Sequence, residues 1–137
     1  MSKTKLLAGV SGFLLLSIPV LAHHGFTMFE MDKSVTLTGT VEAYDWFNPH
    51  THLTIKVDPD AAADKSMAGT WDVEGAAPSI MARQGWTKIT YKVGDPITVV
   101  VHPLKNGGKG ASLFYAIRPD GSRLYQDIAR PKDDQSK

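Results

Sequence analysis

The sequence contains no cysteine, and this absence removes several kinds of site from consideration. Without thiolates the chain cannot form disulfides, zinc–thiolate sites, iron–sulfur clusters or blue-copper centres, and it has no cysteine nucleophile. Any bound metal must therefore be held by histidine, carboxylate, methionine or backbone groups. An exported domain of this size can dispense with disulfides when its hydrophobic core is large enough.

The chain also lacks an excess of either charge. Its 15 Lys and Arg residues against 14 Asp and Glu residues give a formal net charge of +1. A chain with this balance has no excess of positive charge with which to bind nucleic acid and no polybasic patch for anionic lipid. We therefore expect neither nucleic acid nor a membrane as a partner. No serine lies in a nucleophile elbow, and the 106–110 glycine loop lacks the ending of a phosphate-binding loop. These absences favour a binding protein over an enzyme.

The one long apolar run lies near the N-terminus and predicts a cleavable signal peptide over residues 1–22. A short basic end precedes an uncharged stretch that closes on Val20-Leu21-Ala22, which is the basic, apolar and small-residue order of a secretory signal. The run is shorter than the ~20 residues that span a bilayer. We therefore expect a mature protein that begins at His23, in the periplasm or secreted, with no membrane anchor.

The rest of the chain divides into three parts. Residues 23–34 have no clean hydrophobic period and predict an N-terminal arm. Residues 35–125 alternate in polarity and predict one β domain with a single core. Residues 126–137 have little to bury and predict a mobile C-terminal tail.

Alternation of apolar and polar residues predicts the strands of the β domain. The predicted strands cover residues 35–43, 51–57, 70–74, 97–101 and 112–117, with a short return at 123–125. The apolar side chains expected to face the core are Val35, Leu37, Val41, Leu53, Ile55, Val57, Trp71, Val73, Ile97, Val99 and Val101. Pro78 suits the first turn of a short helix, and Gly85 suits the position just past its end.

The resulting order, β-β-β-α-β-β, predicts the fold class. It is all-β, and it matches an OB-like five-stranded Greek-key barrel with one short helix. Another small barrel is the first alternative. A β-sandwich is disfavoured because it needs about seven strands, which the pattern does not supply.

Histidines are the most informative polar residues of the predicted barrel. His50 and His52 share a parity and should leave the outer face of the second strand, and His102 should also point outward. Closing the 58–68 loop as a hairpin brings His52 opposite Glu74. The outer face of strands 2 and 3 is the usual ligand surface of OB barrels, so these histidines should frame one surface. Solvated surface histidines are the alternative interpretation.

His23 and His24 differ from the other histidines because signal cleavage would make His23 the first residue. A terminal amine ordinarily titrates near pH 8 and an imidazole near 6.5, so both nitrogens of such a residue are partly available at neutral pH. The amine and ring nitrogen of one histidine can chelate a single metal, and a second histidine completes a T-shaped brace. Nitrogen ligands in a planar set favour Cu(II). The alternative is that the histidine follows the cut by accident.

Several motifs resemble those of domain of unknown function family 6152, a group of small exported bacterial proteins. They are Ala22-His23-His24-Gly25-Phe26, Trp46-Phe47-Asn48-Pro49-His50, Glu74-Gly75 with Pro78, Gln84-Gly85-Trp86, Gly94-Asp95 and His102-Pro103-Leu104. The resemblance covers residues 22–125 and implies an exported single domain without an established activity. It also implies histidine at the positions of His23, His24, His50 and His102. The position of His52 is more often aromatic in the family, which favours His50 over His52 as a ligand.

These observations together predict an exported metal-binding protein, with copper as the first choice of metal and another periplasmic protein as a further candidate partner. The predicted ligands are His23, His24, His50 and His102. His52 and Glu74 are predicted to orient the ligands or to add to them. The alternative is a metal-free OB-type module that binds a small molecule, a glycan or a protein through Trp46 and Phe47. A copper-dependent oxygenase ranks third, because a small barrel offers little platform for a substrate.

Overall fold

The structure is a computed structural model that describes residues 26–60, 62 and 64–127. The predicted signal peptide, His23, His24 and residues 128–137 of the predicted tail lie outside the described residues. Six strands are present in the described part: β1 (Val35–Asp45), β2 (His52–Val57), β3 (Gly69–Glu74), β4 (Pro96–Pro103), β5 (Gly110–Ile117) and β6 (Arg123–Tyr125). They are accompanied by one α-helix, α1 (Pro78–Ala82), and by 3-10 helices at Phe26–Met28 and Lys65–Met67.

Strand pairing confirms the predicted OB-like barrel. The sheet has the order β3-β2-β1-β4-β5-β6, and a further pairing of β3 with β5 closes five of these strands into a barrel. That closing pair is parallel, whereas every other pair is antiparallel. The helix α1 lies between β3 and β4 in the chain, as the order β-β-β-α-β-β predicted. Closure removes exposed edges along most of the sheet.

The barrel core is formed by the side chains that alternation assigned to it. Those that are buried are Leu37, Val41, Leu53, Ile55, Val57, Trp71, Val73, Ile97, Val99 and Val101. Val35 is only partly buried and packs against this cluster. Met81 of α1 and Trp86 join the same core, and the Trp86 indole N–H donates a 2.7 Å hydrogen bond to the Tyr125 carbonyl oxygen. The helix and the strand β6 are thereby tied to one core.

The first strand is longer than predicted. Sequence analysis placed Tyr44 and Asp45 in the following turn, but β1 continues through both residues. A bulge between Val41 and Ala43 shifts the register so that Tyr44 pairs with Leu53 and Asp45 with the start of β2. The bulge adds a residue to one strand, which alternation alone does not detect.

The fourth and fifth strands also extend past their predicted limits. β5 begins at Gly110 rather than Ser112, because Gly110 already pairs with Asp72 in the parallel contact that closes the barrel. β4 runs to Pro103, opposite Ala111. Among the described residues, no helix is long and apolar enough to cross a membrane.

The part of the predicted arm that the structure describes is fixed to the end of β4. Phe29 forms an isolated antiparallel bridge with Leu104. The Glu30 N–H donates a 2.9 Å hydrogen bond to the Pro103 carbonyl oxygen, and the Lys105 N–H donates one of 3.0 Å to Met28. The Phe29 side chain is buried. The arm thus meets the barrel at a defined place, six residues after His23.

Candidate functional site

Four neighbouring strands place three of the predicted site residues, His52, Glu74 and His102, in one row. The register sets His52 of β2 opposite Glu74 of β3, as predicted, and sets Glu74 beside Ser112 of β5. Ser112 in turn lies opposite His102 of β4. Because adjacent strands are about 4.8 Å apart, the backbones at Glu74 and His102 are separated by roughly 10 Å. Their neighbours along each strand face the core, so this row lies on the outer surface of the barrel.

His50 stands next to this row and has two oxygen atoms beside its Nδ1. The Gly75 carbonyl oxygen is its hydrogen-bond acceptor at 3.3 Å, and Glu74 Oε1 lies at ion-pair distance, also 3.3 Å. The carbonyl oxygen cannot donate, so Nδ1 carries the proton and donates to it. In the neutral ring the lone pair is therefore on Nε2. This is the state in which an imidazole can accept a proton or bind a metal.

The loop that carries His50 is anchored through its neighbour Thr51. The Thr51 N–H donates a 3.2 Å hydrogen bond to the Ala76 carbonyl oxygen, and the Thr51 hydroxyl donates one of 3.1 Å to the same oxygen. The Gly75 N–H donates a 2.8 Å bond back to Thr51. A side chain at Gly75 would collide with the Thr51 hydroxyl and press on Met81. The close approach of these two segments therefore requires glycine at position 75.

A pocket of about 340 Å³ opens beside the His50–Glu74 pair. We call it the His50 pocket. Its apolar wall is formed by Phe29 of the arm, Pro49 and Ile80, and its polar lining includes Ser112 and Gln126 as well as His50 and Glu74. The volume lies at the lower end of the range typical of sites for small ligands, about 300–1,000 Å³. A mainly apolar wall with a few converging polar groups is also typical of such sites.

His52 has a different carboxylate partner from the one its register suggests. Its Nδ1 lies 3.0 Å from Asp72 Oδ1. The backbone register was correct, but the side chains pair diagonally, because long side chains reach the neighbour two residues along the facing strand. Glu74 is left to contact His50 instead. Neither His52 nor Asp72 lines the His50 pocket.

His102 points outward but stands apart from the pocket. Its Nδ1 lies 2.8 Å from the Lys33 carbonyl oxygen, which can only accept, so Nδ1 donates and Nε2 holds the lone pair. Its ring stacks at 5.2 Å on Phe114. Within the part of the chain that the structure describes, no three His, Asp or Glu side chains are grouped closely enough to hold a metal ion. The histidines of the barrel are thus neighbours without forming a complete ligand set.

Trp46 and Phe47, the predicted ligand-face aromatics, do not line the His50 pocket. Trp46 packs against the core cluster and meets the Tyr44 ring edge-on at 5.9 Å. Burial raises the pKa of the Tyr44 phenol, so this group stays protonated and donates a 3.0 Å hydrogen bond to the Thr87 carbonyl oxygen. Phe47 is exposed over about half of its surface, 55%. Trp46 has a packing role, and only Phe47 remains free to meet a ligand.

Three polar residues of the pocket, Ser112, Gln126 and Asp127, were not among the predicted site residues. Ser112 lies on the outward parity of β5, and that parity was the available signal. Gln126 had been assigned to the tail, yet it is buried, and its N–H donates a 3.3 Å hydrogen bond to the Phe114 carbonyl oxygen. Its burial depends on β6 folding back along β5, which composition does not reveal.

Comparison with known proteins identifies a matching family. The family model described as "Family of unknown function (DUF6152)" matches residues 12–113. This range includes every predicted metal ligand and Glu74. No curated protein matches the chain.

Proposed function

The chain belongs to this family of unknown function (DUF6152), and from that premise we propose that it is an exported metal-binding protein that holds copper at the His50 pocket. In this proposal the signal peptide is removed and His23 becomes the first residue. The His23 amine and ring, with His24, bind the metal together with His50 Nε2. The family assigns no activity, so the support comes from residues of this chain.

The observation that carries the proposal is the orientation of His50. Its Nδ1–H donates a 3.3 Å hydrogen bond to the Gly75 carbonyl oxygen, and Glu74 Oε1 lies 3.3 Å from the same nitrogen. Histidines that bind metals usually donate their other ring N–H to a carboxylate or a backbone carbonyl, which fixes the tautomer and the direction of the free nitrogen. His50 donates to a backbone carbonyl and has a carboxylate at ion-pair distance beside the same nitrogen. The chain therefore offers one oriented nitrogen beside a pocket.

The arm supports a contribution from the mature N-terminus. Phe29 lines the His50 pocket and is bridged to Leu104. His23 lies six positions before Phe29, and an extended chain covers at most about 3.6 Å per residue, or roughly 22 Å. A terminus starting at His23 is thus within chain reach of His50. This matters because the described residues contain no complete ligand set of their own.

The donor set favours copper. It consists of imidazole and amine nitrogens with no thiolate, which suits Cu(II), the divalent first-row ion that such ligands bind most tightly. Glu74 orients His50 and leaves its second oxygen available as an additional ligand. His102, whose Nδ1 is fixed 2.8 Å from the Lys33 carbonyl oxygen, is the alternative closing ligand.

The second candidate function is a metal-free binding module. The apolar wall of the His50 pocket favours it, because Phe29, Pro49 and Ile80 offer contact area that a bare metal ion does not use. In that case the His50–Glu74 pair would serve as a hydrogen-bonding group. Metal titration separates the two candidates.

The decisive experiment compares two forms of the protein. One begins at His23, and the other carries one additional residue before it, which converts the amine into an amide and leaves every side chain in place. We expect the additional residue to weaken Cu(II) binding at least 100-fold in a competition titration near pH 7.5. Equal affinity of the two forms would exclude a chelating terminus and favour the metal-free module.

Two further measurements test the steps on which this experiment depends. Intact-mass analysis of the exported protein should give a chain that starts at His23, and retention of the apolar segment would exclude both the cut and the amine ligand. Cu(II) affinity should also fall as the pH drops from about 8 to 6, because protons compete with the metal for amine and imidazole nitrogens. A pH-independent affinity would argue against nitrogen ligands.

A further inference from the structure

A second pocket, of about 620 Å³, shares no lining residue with the His50 pocket. We call it the Arg118 pocket. It opens where the start of β4, the end of β5 and the connection between α1 and β4 meet, and its apolar wall includes Ile97, Ile117 and Leu124. The volume lies within the range typical of sites for small ligands, about 300–1,000 Å³. The chain therefore has a second space that can hold a small molecule, outside the proposed copper site.

The α1–β4 connection, which forms one wall of the Arg118 pocket, is fixed to the barrel. The Gly94 N–H donates a 2.8 Å hydrogen bond to the Val41 carbonyl oxygen, and the Val41 N–H donates one of 2.9 Å to the Asp95 carbonyl oxygen. The ring of Tyr91 packs against the buried ring of Trp86, with 6.0 Å between the two centroids. The pocket is thus formed by backbone pairing and packed rings, without a contribution from a ligand.

Two side chains of opposite charge, Arg118 and Asp95, line the Arg118 pocket. Both are placed by hydrogen bonds to neutral groups. Arg118 Nη1 donates a 3.3 Å hydrogen bond to the Ser122 hydroxyl, and Asp95 Oδ2 accepts one of 2.8 Å from the Lys92 N–H. A guanidinium has five N–H donors and a carboxylate can accept roughly four hydrogen bonds, so these contacts engage only a part of each group. A ligand that enters the pocket therefore meets one cation and one anion.

The Tyr91 phenol responds to both of these charges. Burial raises the pKa of this phenol, the Arg118 charge lowers it in part, and the Asp95 charge raises it. Both charged groups therefore lie within electrostatic reach of one hydroxyl group, which stays protonated and can donate a hydrogen bond. Asp120 lies on the same turn as Arg118, but its carboxylate is fully exposed and lies outside the pocket lining, so solvent and salt screen its charge.

The pair of opposite charges determines the kind of ligand that fits. A simple carboxylate would bring a second negative charge close to Asp95, and a simple ammonium ion would bring a second positive charge close to Arg118. Each would also leave one lining charge without a partner, which is unfavourable where water is partly excluded. A zwitterion places a carboxylate and an ammonium group in one small molecule, and each can form a charge-assisted hydrogen bond with the group of opposite sign.

We infer that the Arg118 pocket binds a free α-amino acid with an apolar side chain. The carboxylate of this ligand binds Arg118, its ammonium group binds Asp95, and its side chain packs on the wall that contains Ile97 and Ile117. The inference goes beyond the proposed function and does not depend on it, because the two pockets have no lining residue in common.

The test uses the natural-start protein, which is the form that begins at His23, and a chelator removes metal because amino acids themselves bind Cu(II). The probes are L-phenylalanine, phenethylammonium, which lacks the carboxylate, and 3-phenylpropanoate, which lacks the ammonium group. Backbone amide signals are followed by NMR during each titration. We expect L-phenylalanine to bind at least tenfold more tightly than either singly charged probe. Its signal shifts should appear at Thr90, Tyr91 and Thr98 and not at Ala76 in the His50 pocket.

Substitutions then test the two charged contacts separately. Arg118→Gln should weaken L-phenylalanine and 3-phenylpropanoate at least fivefold and should not weaken phenethylammonium. Asp95→Asn retains an oxygen that can accept from the Lys92 N–H, and it should weaken L-phenylalanine and phenethylammonium only. Arg83→Gln and Asp45→Asn remove the same charges from exposed positions outside the Arg118 pocket and should leave all three affinities unchanged.

The amide spectrum of each variant without a probe is the control for folding, and Arg118→Lys, which retains the charge, should restore part of the affinity lost in Arg118→Gln. An L-phenylalanine affinity no higher than that of a singly charged probe would overturn the inference, as would binding outside the Arg118 pocket or no binding at all. Equal losses in Arg118→Gln and Arg83→Gln would also overturn it, because the net charge of the protein would then explain the result.

Discussion

Two histidine–carboxylate pairs occupy adjacent positions on the β2–β3 hairpin, and they differ in their surroundings. His50 contacts Glu74 at 3.3 Å, and His52 contacts Asp72 at 3.0 Å. Glu74 is the more sheltered carboxylate, with 30% of its side chain exposed against 64% for Asp72. Only the first pair lines the His50 pocket.

The two pairs have the same kinds of residue but lie in different surroundings. Both pairs place a carboxylate oxygen beside an imidazole Nδ1, so residue types alone do not distinguish them. The His50 ring also donates to the Gly75 carbonyl oxygen and lies beside the buried side chains of Ser112 and Gln126. Asp72, with 64% of its side chain exposed, orients its histidine weakly because water competes for the carboxylate. We therefore assign function to the first pair and regard the second as a surface pair.

The largest expected effect comes from removing the support that both pairs share. Leu53 lies between His50's loop and the rest of β2 and is buried in the core. Leu53→Ala should lower the free energy of unfolding by about 2–4 kcal/mol, because it leaves a cavity under the hairpin. Urea unfolding followed by circular dichroism measures this loss. A change near zero would mean that the inward parity of β2 is wrong.

Substituting the two histidines separately makes the sharpest comparison. His50→Ala should weaken Cu(II) binding by about 100-fold in the natural-start protein, about 2.8 kcal/mol, because it removes an oriented nitrogen. His52→Ala removes the same chemical group from a position that does not line the His50 pocket, and it should change the affinity less than threefold. Competition titrations of both variants under one condition measure the difference. Equal losses would refute the assignment of function to the His50 pair alone.

The carboxylates give a smaller effect of the same kind. Glu74→Gln keeps the side-chain shape but removes the carboxylate charge that lies 3.3 Å from His50 Nδ1, and groups beside a metal ligand commonly change metal affinity 10- to 100-fold. We expect about tenfold weaker Cu(II) binding, whereas Asp72→Asn should change it less than twofold. Intact near-ultraviolet circular dichroism of both variants is the control for folding. A larger loss of Cu(II) affinity in Asp72→Asn than in Glu74→Gln would contradict the assignment of function to the His50 pair.

The smallest expected effect concerns the anchor of the His50 loop. Thr51→Val keeps the volume but leaves the Ala76 carbonyl oxygen without the hydroxyl that donates to it at 3.1 Å. We expect a loss of about 1 kcal/mol in the free energy of unfolding. Thr54→Val on the outer face of β2 is the matched control and should stay within about 0.5 kcal/mol. Similar values for the two variants would show that the anchor does not matter for stability.

The parts of the molecule that could be predicted are those governed by local periodicity. Alternation placed Leu53, Ile55 and Trp71 in the core, since successive side chains of a strand point to opposite faces. Closure of the 58–68 loop as a hairpin gave the register in which Val57 lies opposite Gly69. Pairing of this kind depends on a short stretch of chain, so the register can be predicted from the sequence.

The parts that could not be predicted involve side-chain geometry and bulges. The same register that set His52 opposite Glu74 did not reveal that Glu74 contacts His50, because the side chains pair diagonally. The extension of β1 through Asp45 depends on the bulge at Val41, which has no signature in alternation. Gln126 was assigned to the tail because its burial requires β6 to return along β5.

The sequence by itself determined the class of the barrel, the inward side chains and the outward direction of His50, His52 and His102. It also predicted the histidines as candidate ligands from their chemistry alone. Only the tertiary structure decided which histidine borders a pocket, because that pocket is built from the arm, the His50 loop, the β3–α1 connection, β5 and the residues after β6. Those segments are far apart in the chain, and barrel closure through the parallel β3–β5 pair is what brings them together.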